Sequence, residues 1–275
     1  MSQTAPVLVI AASGKVGSRI VARLEANGTP VRAASRRTSP AFDWENQATW
    51  EPALAGIDVA FVAFVPDLAV KGSVEAIRAF TETAKRTGLK HLVLLSGRGE
   101  ANAVASEKIV QAFGIGHTII RASWFNQNFS EGHLLDPVLE GHIALPAENR
   151  KEPFVDANDI ADVAVAALLD PKHAGQVYEV TGPRLLTFAD VAAEINAAAG
   201  LSVQYAHMPL GEFHALMLSI MDKPTADFLH DLCEEVFDGR NESVSDGVQR
   251  ALGREPRDFR DYVVEMAASG VWGTK

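Results

Sequence analysis

Short apolar runs alternate with amphipathic stretches through the first two thirds of the chain. The first run, residues 7–12 in PVLVIAA, meets the turn Ser13-Gly14-Lys15-Val16-Gly17. A stretch follows in which Val16, Ile20, Val21 and Leu24 recur at helical spacing on one face. A second apolar run, 30–34, ends in Ser35-Arg36-Arg37. Strand, glycine turn, helix, strand is the order of a right-handed βαβ unit. Strand-like runs recur at 57–65 (IDVAFVAFV), 90–97 (KHLVLLSG) and 117–122 (HTIIRA), with helical patterns at 74–86 and 109–113 between them. A short third strand is expected before Asp43-Trp44. Segments this apolar suit strands buried on both faces, so the pattern predicts a parallel sheet covered by helices on each side.

The character changes beyond residue 125. A polar stretch with Gly and Pro, 131–153, leads to VDANDIADVAVAALL, a helix for which Asp156 or Asn158 can cap and Asp159 favours the dipole. QVYEVTG at 176–182 reads as a last strand, 187–199 as a helix capped by Thr187, and 209–272 as mostly helical, punctuated by Gly211, Pro224, Gly239, Gly253 and Pro256. The expected fold is therefore α/β, a Rossmann-type doubly wound parallel sheet with a smaller, mostly helical C-terminal lobe. The expected domains are 1–182, with a core at 1–125 to which 153–182 returns, and a lobe at 183–275 closing over the ligand.

In doubly wound sheets ligands bind beyond the carboxyl ends of the strands. That rule nominates residues 14–17, 64–67, 96–97 and 122–126 as the rim. A glycine turn there lets backbone amides approach a pyrophosphate, and the positive end of the helix faces the anion. The usual first glycine of G-x-x-G-x-x-G is Ala11, so the pattern depends on its position between strand and helix. An NAD site places Asp or Glu about 20 residues past the glycines, whereas a 2′-phosphate needs a cation. Ser35 lies 18 residues past Gly17 and is followed by Arg36 and Arg37, with no acid in the stretch. NADP(H) is the expected cofactor, contacted by Ala11, Ser13, Gly14, Lys15, Val16, Gly17, Arg36, Arg37, Asp43, Trp44, Phe64, Val65, Ser96 and Ser123, with Asp43-Trp44 flanking the adenine.

Composition narrows the function class. At 275 residues the chain can bury a large core, and its apolar runs are far shorter than the roughly 18 residues of a spanning helix. Met1-Ser2-Gln3-Thr4-Ala5 lacks the basic start and apolar core of a signal peptide, and Cys233, the only cysteine, cannot form an internal disulfide. A cytoplasmic protein is expected. A net charge of −10 with dispersed Lys and Arg argues against nucleic acid as a partner. The eight histidines form no HExxH and no visible cluster with Cys or carboxylates, so no metal site is expected. The expected partner is a small, apolar, conjugated substrate, with no membrane partner and a homodimer allowed.

Five segments together resemble the NmrA-like group of atypical short-chain dehydrogenases. They are AASGKVG at 11–17, DVAFVAFVPD at 58–67, GIGHTIIRASWFNQNFSE at 114–131, PFVDANDIADVAVAALL at 153–169 and GREPRDFRDYV at 253–263. The resemblance spans nearly the whole chain. The group includes NADPH-dependent quinone reductases and NADP-sensing regulators, and the 114–131 segment is also similar to that of ergot-alkaloid iminium reductases. The resemblance implies either hydride transfer from NADPH or cofactor sensing with a protein partner.

Mainstream short-chain dehydrogenases protonate a carbonyl with a Tyr-x-x-x-Lys pair, and here the departure is plain. Tyr178, Tyr205 and Tyr262 are the only tyrosines, and none has Lys four residues later. With Glu107 aligned to the glutamate that follows the lysine by four in extended members, the two positions fall at Gly99 and Ala103; Lys108 is the nearest substitute. An iminium carbon is already activated, and a quinone's developing oxyanion is delocalised, so such acceptors need mainly positioning and a hydrogen-bond donor. Ser96, Ser123 and Asn126 are the candidate donors and Trp124 and Phe125 the candidate stacking surfaces, with Ser96, Trp124 and Asn126 the catalytic candidates. Carbonyl reduction of an unactivated ketone is disfavoured, and so is sugar-nucleotide epimerisation, which needs the missing tyrosine as base.

Overall fold

The computed structural model describes residues 5–273. Its strands are β1 Val7–Ile10, β2 Val31–Ala34, β3 Val59–Val62, β4 His91–Gly97, β5 Gly116–Ala122, β6 His142–Leu145, β7 Lys151–Glu152, β8 Val177–Val180, β9 Leu186–Thr187 and β10 Gln204–His207. Its α-helices are α1 Lys15–Ala26, α2 Trp50–Leu54, α3 Ser73–Arg86, α4 Ala101–Ala112, α5 Asn128–Glu131, α6 Leu135–Leu139, α7 Ala157–Leu169, α8 Phe188–Ala199, α9 Leu210–Ile220, α10 Lys223–Val236, α11 Gly247–Leu252 and α12 Phe259–Ser269. They form two compact units. Unit 1 runs up to Ala122 and adds Ala157–Val180 and Asp246–Arg254; unit 2 comprises Ser123–Asp156, Thr181–Ser245 and the chain from Glu255 onward.

Unit 1 carries a six-stranded sheet in the order β2-β1-β3-β4-β5-β8. Every pairing in it is parallel. The central strands are buried on both faces, as the unbroken apolar runs require: Leu8, Val9, Phe61, Val62, Val93 and Leu94 are all fully inside. Because β2 lies on one side of β1 and β3 on the other, the strand order reverses at β1, which places the topological switch point at the carboxyl ends of β1 and β3. Helix α1 forms where expected, burying Val16, Gly17, Ile20 and Leu24, and its Arg23 bonds Asp162 and Asn158 of α7 at 2.6 and 3.0 Å.

The third strand expected before Asp43 is absent. Residues 38–46 form a looped segment instead, held by the Trp44 indole N–H on the Ala63 carbonyl at 3.1 Å and the Trp50 indole N–H on the Asp43 carbonyl at 2.7 Å. Phe42, Trp44, Trp50 and Phe80 pack as one aromatic cluster there, and burial of these rings replaces the ladder hydrogen bonds a strand would supply.

Helices supply most of the regular structure of unit 2, beside a parallel pair β6–β10 and a short antiparallel pair β7–β9. Its core is aromatic: Phe129, Phe154, Phe188, Phe259, Tyr262 and Trp272 are all buried. Thr187 and Asp190 close a capping box at the start of α8. Asp258, the N-cap of α12, also receives two bonds from Arg184, at 2.6 and 2.7 Å. A division at residue 182 alone does not describe the units, because Asp246–Arg254 belongs to unit 1. Helix α11 there approaches the sheet so closely that a Cβ on Gly247 would stand 2.0 Å from the Glu179 carbonyl oxygen. Among the described residues no helix is long and apolar enough to cross a membrane.

Candidate functional site

The glycine turn sits in unit 1 at the end of β1. Ala11 takes the place of the first glycine and adopts a left-handed backbone, with φ of 58°. Its carbonyl accepts the Gly14 N–H at 2.9 Å, which closes the turn. A Cβ on Gly17 would meet that same carbonyl oxygen at 2.2 Å, so only glycine fits where α1 crosses the turn. Gly14 is different: its added Cβ would stand 3.2 Å from the Ala11 oxygen, a contact that a small shift relieves. Gly14 is exposed, serves as the N-cap of α1 and provides no side-chain cap. A helix end left uncapped, approached over residues without bulk, suits a pyrophosphate.

Arg36 and Arg37 follow β2, the neighbour of β1, and both side chains are exposed. Trp44 and Phe64 are half-buried, their ring centroids 4.7 Å apart, while Val65 is 52% exposed. The Trp44 indole N–H is committed to Ala63, so this residue presents a ring face or edge, not a donor. Asp43 Oδ1 accepts the Glu45 N–H at 3.1 Å. The residues on hand at the switch point thus fit a dinucleotide carrying a 2′-phosphate.

Beside them, at the ends of β4, β5 and β8, lies a chain of charged groups that sequence reasoning did not anticipate as a unit. Ser96 donates its hydroxyl to Glu107 Oε1 at 2.6 Å. Arg121 grips Glu107 through Nε at 3.0 Å and Nη2 at 2.5 Å, and Arg98 bonds Glu179 at 2.5 Å. Ser96, Glu107 and Arg98 are buried. The fork-like hydrogen bonding to Glu107 pushes the Arg121 guanidinium above its ordinary value, with the Glu107 and Glu179 charges adding to it against the opposing effect of burial. The only hydrogen on Ser96 is spent on Glu107, so Ser96 can accept a hydrogen bond from a ligand but not donate one.

The proton-donor inventory is equally specific. The phenol of Tyr178 meets His173 Nδ1 at 2.7 Å, Tyr205 donates to the Leu145 carbonyl at 3.3 Å, and Tyr262 donates to Ser130 Oγ at 2.7 Å. Gly99 has φ of 81°, and Ala103 is fully buried in the core of unit 1. Lys108 is exposed, one position round α4 from the buried Glu107.

In unit 2, Trp124 is half-buried against Phe188 and Phe237, at 5.6 and 5.1 Å. Asn126 is fully buried and neither atom of its amide has a hydrogen-bond partner; Ser123 Oγ is likewise buried and unpaired. Buried polar atoms are normally satisfied, so these two side chains call for a partner, an ordered water or a polar group. Cys233 is not a nucleophile: burial pushes its thiol up to about 12. On α10, His230, Asp231 and Glu234 bring three ligand-type atoms within 4.8 Å of one another, His230 half-buried and the two carboxylates exposed.

Comparisons with known proteins bear on the whole chain. It is 32% identical to YesF of Bacillus subtilis strain 168, described as an uncharacterized oxidoreductase, over 98% of this chain and 97% of that protein. It is 31% identical to an NAD(P)H azoreductase of Xenophilus azovorans, over 96% of this chain and 98% of that one. Among solved structures, an NADPH-dependent quinone oxidoreductase from Escherichia coli in complex with NADPH superposes with a TM-score of 0.80 at 21% identity, covering 94% of this chain and 99% of the other, a likeness of fold. The model of the NmrA-like family matches residues 3–263, and with the glycine turn, the parallel sheet and these full-length relatives in agreement, this chain belongs to the NmrA-like family.

Proposed function

We propose that this chain is an NADPH-dependent oxidoreductase that passes hydride to a small conjugated electrophile, a quinone or an imine, without a Tyr-x-x-x-Lys pair. When bound, the reduced nicotinamide supplies the hydride. The residues of unit 1 do the holding. The uncapped start of α1 faces the pyrophosphate, Arg36 and Arg37 meet the 2′-phosphate, Trp44 and Phe64 offer an aromatic surface to the adenine, and Ser96 accepts from a ribose or carboxamide donor. Full-length likeness to an NAD(P)H azoreductase supports the reaction class.

The observation that carries the acceptor class is the engagement of all three phenols inside the fold. A phenol tied to a buried partner is not available to protonate a ketone oxygen, and the positions aligned with Tyr and Lys hold a glycine and a core methyl. Acceptors that need no strong acid remain. For them, the Asn126 amide and Ser123 hydroxyl steady the oxygen or nitrogen that gains electron density, and Trp124 gives a flat surface.

The test is NADPH oxidation across quinones, imines, azo compounds and unactivated ketones. Quinones or imines should turn over and ketones should not. Asn126→Ala and Trp124→Ala should raise KM or lower kcat, whereas Phe at Tyr178, Tyr205 and Tyr262 should leave most activity. Rapid ketone reduction that is lost with one tyrosine would overturn the reading.

A further inference from the structure

Helices α9 and α10 of unit 2 carry a second concentration of chemistry, unrelated to the glycine turn. Along α10, Asp227, His230, Asp231 and Glu234 fall at i, i+3, i+4 and i+7, and so share one face of the helix. The coordinating atoms of His230, Asp231 and Glu234 all lie within 4.8 Å of one another. His230 Nδ1 faces Asp231 Oδ1 at 2.9 Å. Bonds to a zinc-type ion run about 2.0–2.2 Å for imidazole nitrogen and carboxylate oxygen, which in a tetrahedral shell puts ligand atoms roughly 3.4 Å apart. Small side-chain rotations therefore close this trio around one ion.

A fourth group comes from the neighbouring helix. The His214 ring on α9 lies 4.7 Å from the His230 ring, centroid to centroid. His214 Nε2 is held by Asp227 Oδ1 at 2.9 Å, so Nδ1 is the nitrogen left for a ligand. A carboxylate on the distal nitrogen of an imidazole is the arrangement that orients metal-binding histidines. Asp227 Oδ2 is in turn held by the Lys223 ammonium one helical turn away. The face thus gathers three carboxylates and two imidazoles against the single ammonium of Lys223.

We infer that α9 and α10 bind one zinc-type divalent cation through His230, Asp231 and Glu234, with His214 as the fourth ligand and Asp227 orienting it. Two imidazoles among the donors select first-row transition ions over calcium or magnesium, which prefer all-oxygen shells. The ion ties α9 to α10. Its role is structural, since no residue of the proposed cofactor or acceptor sites belongs to the cluster.

The experiment is calorimetric titration of the chelator-treated full chain with Zn2+, followed by Co2+ as a spectroscopic probe. One equivalent should bind, with a cobalt spectrum indicating nitrogen ligation, and excess Mg2+ should not displace it. His230→Ala and Glu234→Gln should each weaken binding on the order of tenfold or more, and His214→Ala should do so too. His142→Ala, an exposed histidine on β6, should not. These are substitutions of solvent-facing or half-exposed positions, and circular dichroism checks that each variant is folded. Zinc should also slow amide exchange in α9 and α10 of the wild type but not of His230→Ala. Absence of saturable binding, affinity indifferent to His230 and Glu234, or equal competition by Mg2+ would each overturn the inference.

Discussion

Replacing Arg36 and Arg37 with alanine should cost NADPH binding while leaving NADH binding nearly unchanged. A charge-assisted hydrogen bond to phosphate contributes about 1.5–3 kcal/mol when it is shielded from water. Both side chains are exposed at the end of β2, so that range must be discounted for solvent screening. About 1 kcal/mol per arginine is the reasonable figure, or roughly a fivefold rise in Kd for each single variant and about 30-fold for the pair. Salt supplies an independent check, because the screening length contracts from about 10 Å at 0.1 M to about 3 Å at 1 M. The preference for NADPH over NADH should therefore shrink as salt rises in the wild type and be nearly flat in the double variant. Fluorescence titration of both cofactors at several ionic strengths reads all of this. Equal wild-type affinities for the two cofactors, or equal losses for both on substitution, would refute the assignment of these arginines to the 2′-phosphate.

Gly14→Val should fold normally but lose NADPH binding, because its side chain fills the approach to the helix end; Gly17→Ala should instead lower Tm sharply, since its Cβ would collide with the Ala11 carbonyl at 2.2 Å. Normal cofactor affinity in folded Gly14→Val would remove the turn from the site. Glu107→Ala strips the buried Ser96 hydroxyl of its acceptor and leaves Arg121 only the Glu179 carboxylate at 3.7 Å. Breaking a buried pair costs about 3–5 kcal/mol, and Arg121 keeps some solvent, so urea unfolding should show a loss of about 2–3 kcal/mol. A loss under about 0.5 kcal/mol would mean that the network carries no stability. Burial first, and then neighbouring positive charge, lowers the proton affinity of the His173 and His91 imidazoles. Between those lowered values and about 6.5 the unfolded chain binds more protons, so stability should be full above about pH 6.5 and fall as pH drops below it. His173→Gln should flatten that acid-side decline, and an unchanged slope in urea midpoints would count against it.

The first βαβ unit was legible because its signals are local. Val16, Ile20 and Leu24 recur at helical spacing, Gly17 follows the turn at once, and the arginines end the next apolar run. QVYEVTG likewise became β8, since a buried strand announces itself by composition. Residues 38–46 were misread as leading from a strand because their aromatic residues pack against Phe80, more than thirty positions away, a partnership no local pattern reveals. The Ser96 hydroxyl was taken as a donor for the same kind of reason: its acceptor, Glu107, comes into reach only when α4 lies over β4. The His214 and His230 neighbours depend on the pairing of two helices, which spacing within either one cannot disclose. The change in character read beyond residue 125 falls close to the passage from unit 1 to unit 2 at Ala122–Ser123, but no linker marks that point.

The buried methyl of Ala103 limits how this scaffold could be redirected. Restoring ordinary ketone chemistry would call for tyrosine at position 99 and lysine at position 103. The first would force a large side chain onto a backbone with φ of 81°, a left-handed geometry that glycine tolerates and tyrosine does not. The second would thrust an ammonium group among core side chains, since Ala103 is wholly enclosed. Neither change is a matter of adding a functional group to a waiting surface. Converting the protein to an alcohol dehydrogenase would mean remaking the first turn of α4 and the layer beneath it, so selection or engineering acting one residue at a time would meet destabilised intermediates before it met activity.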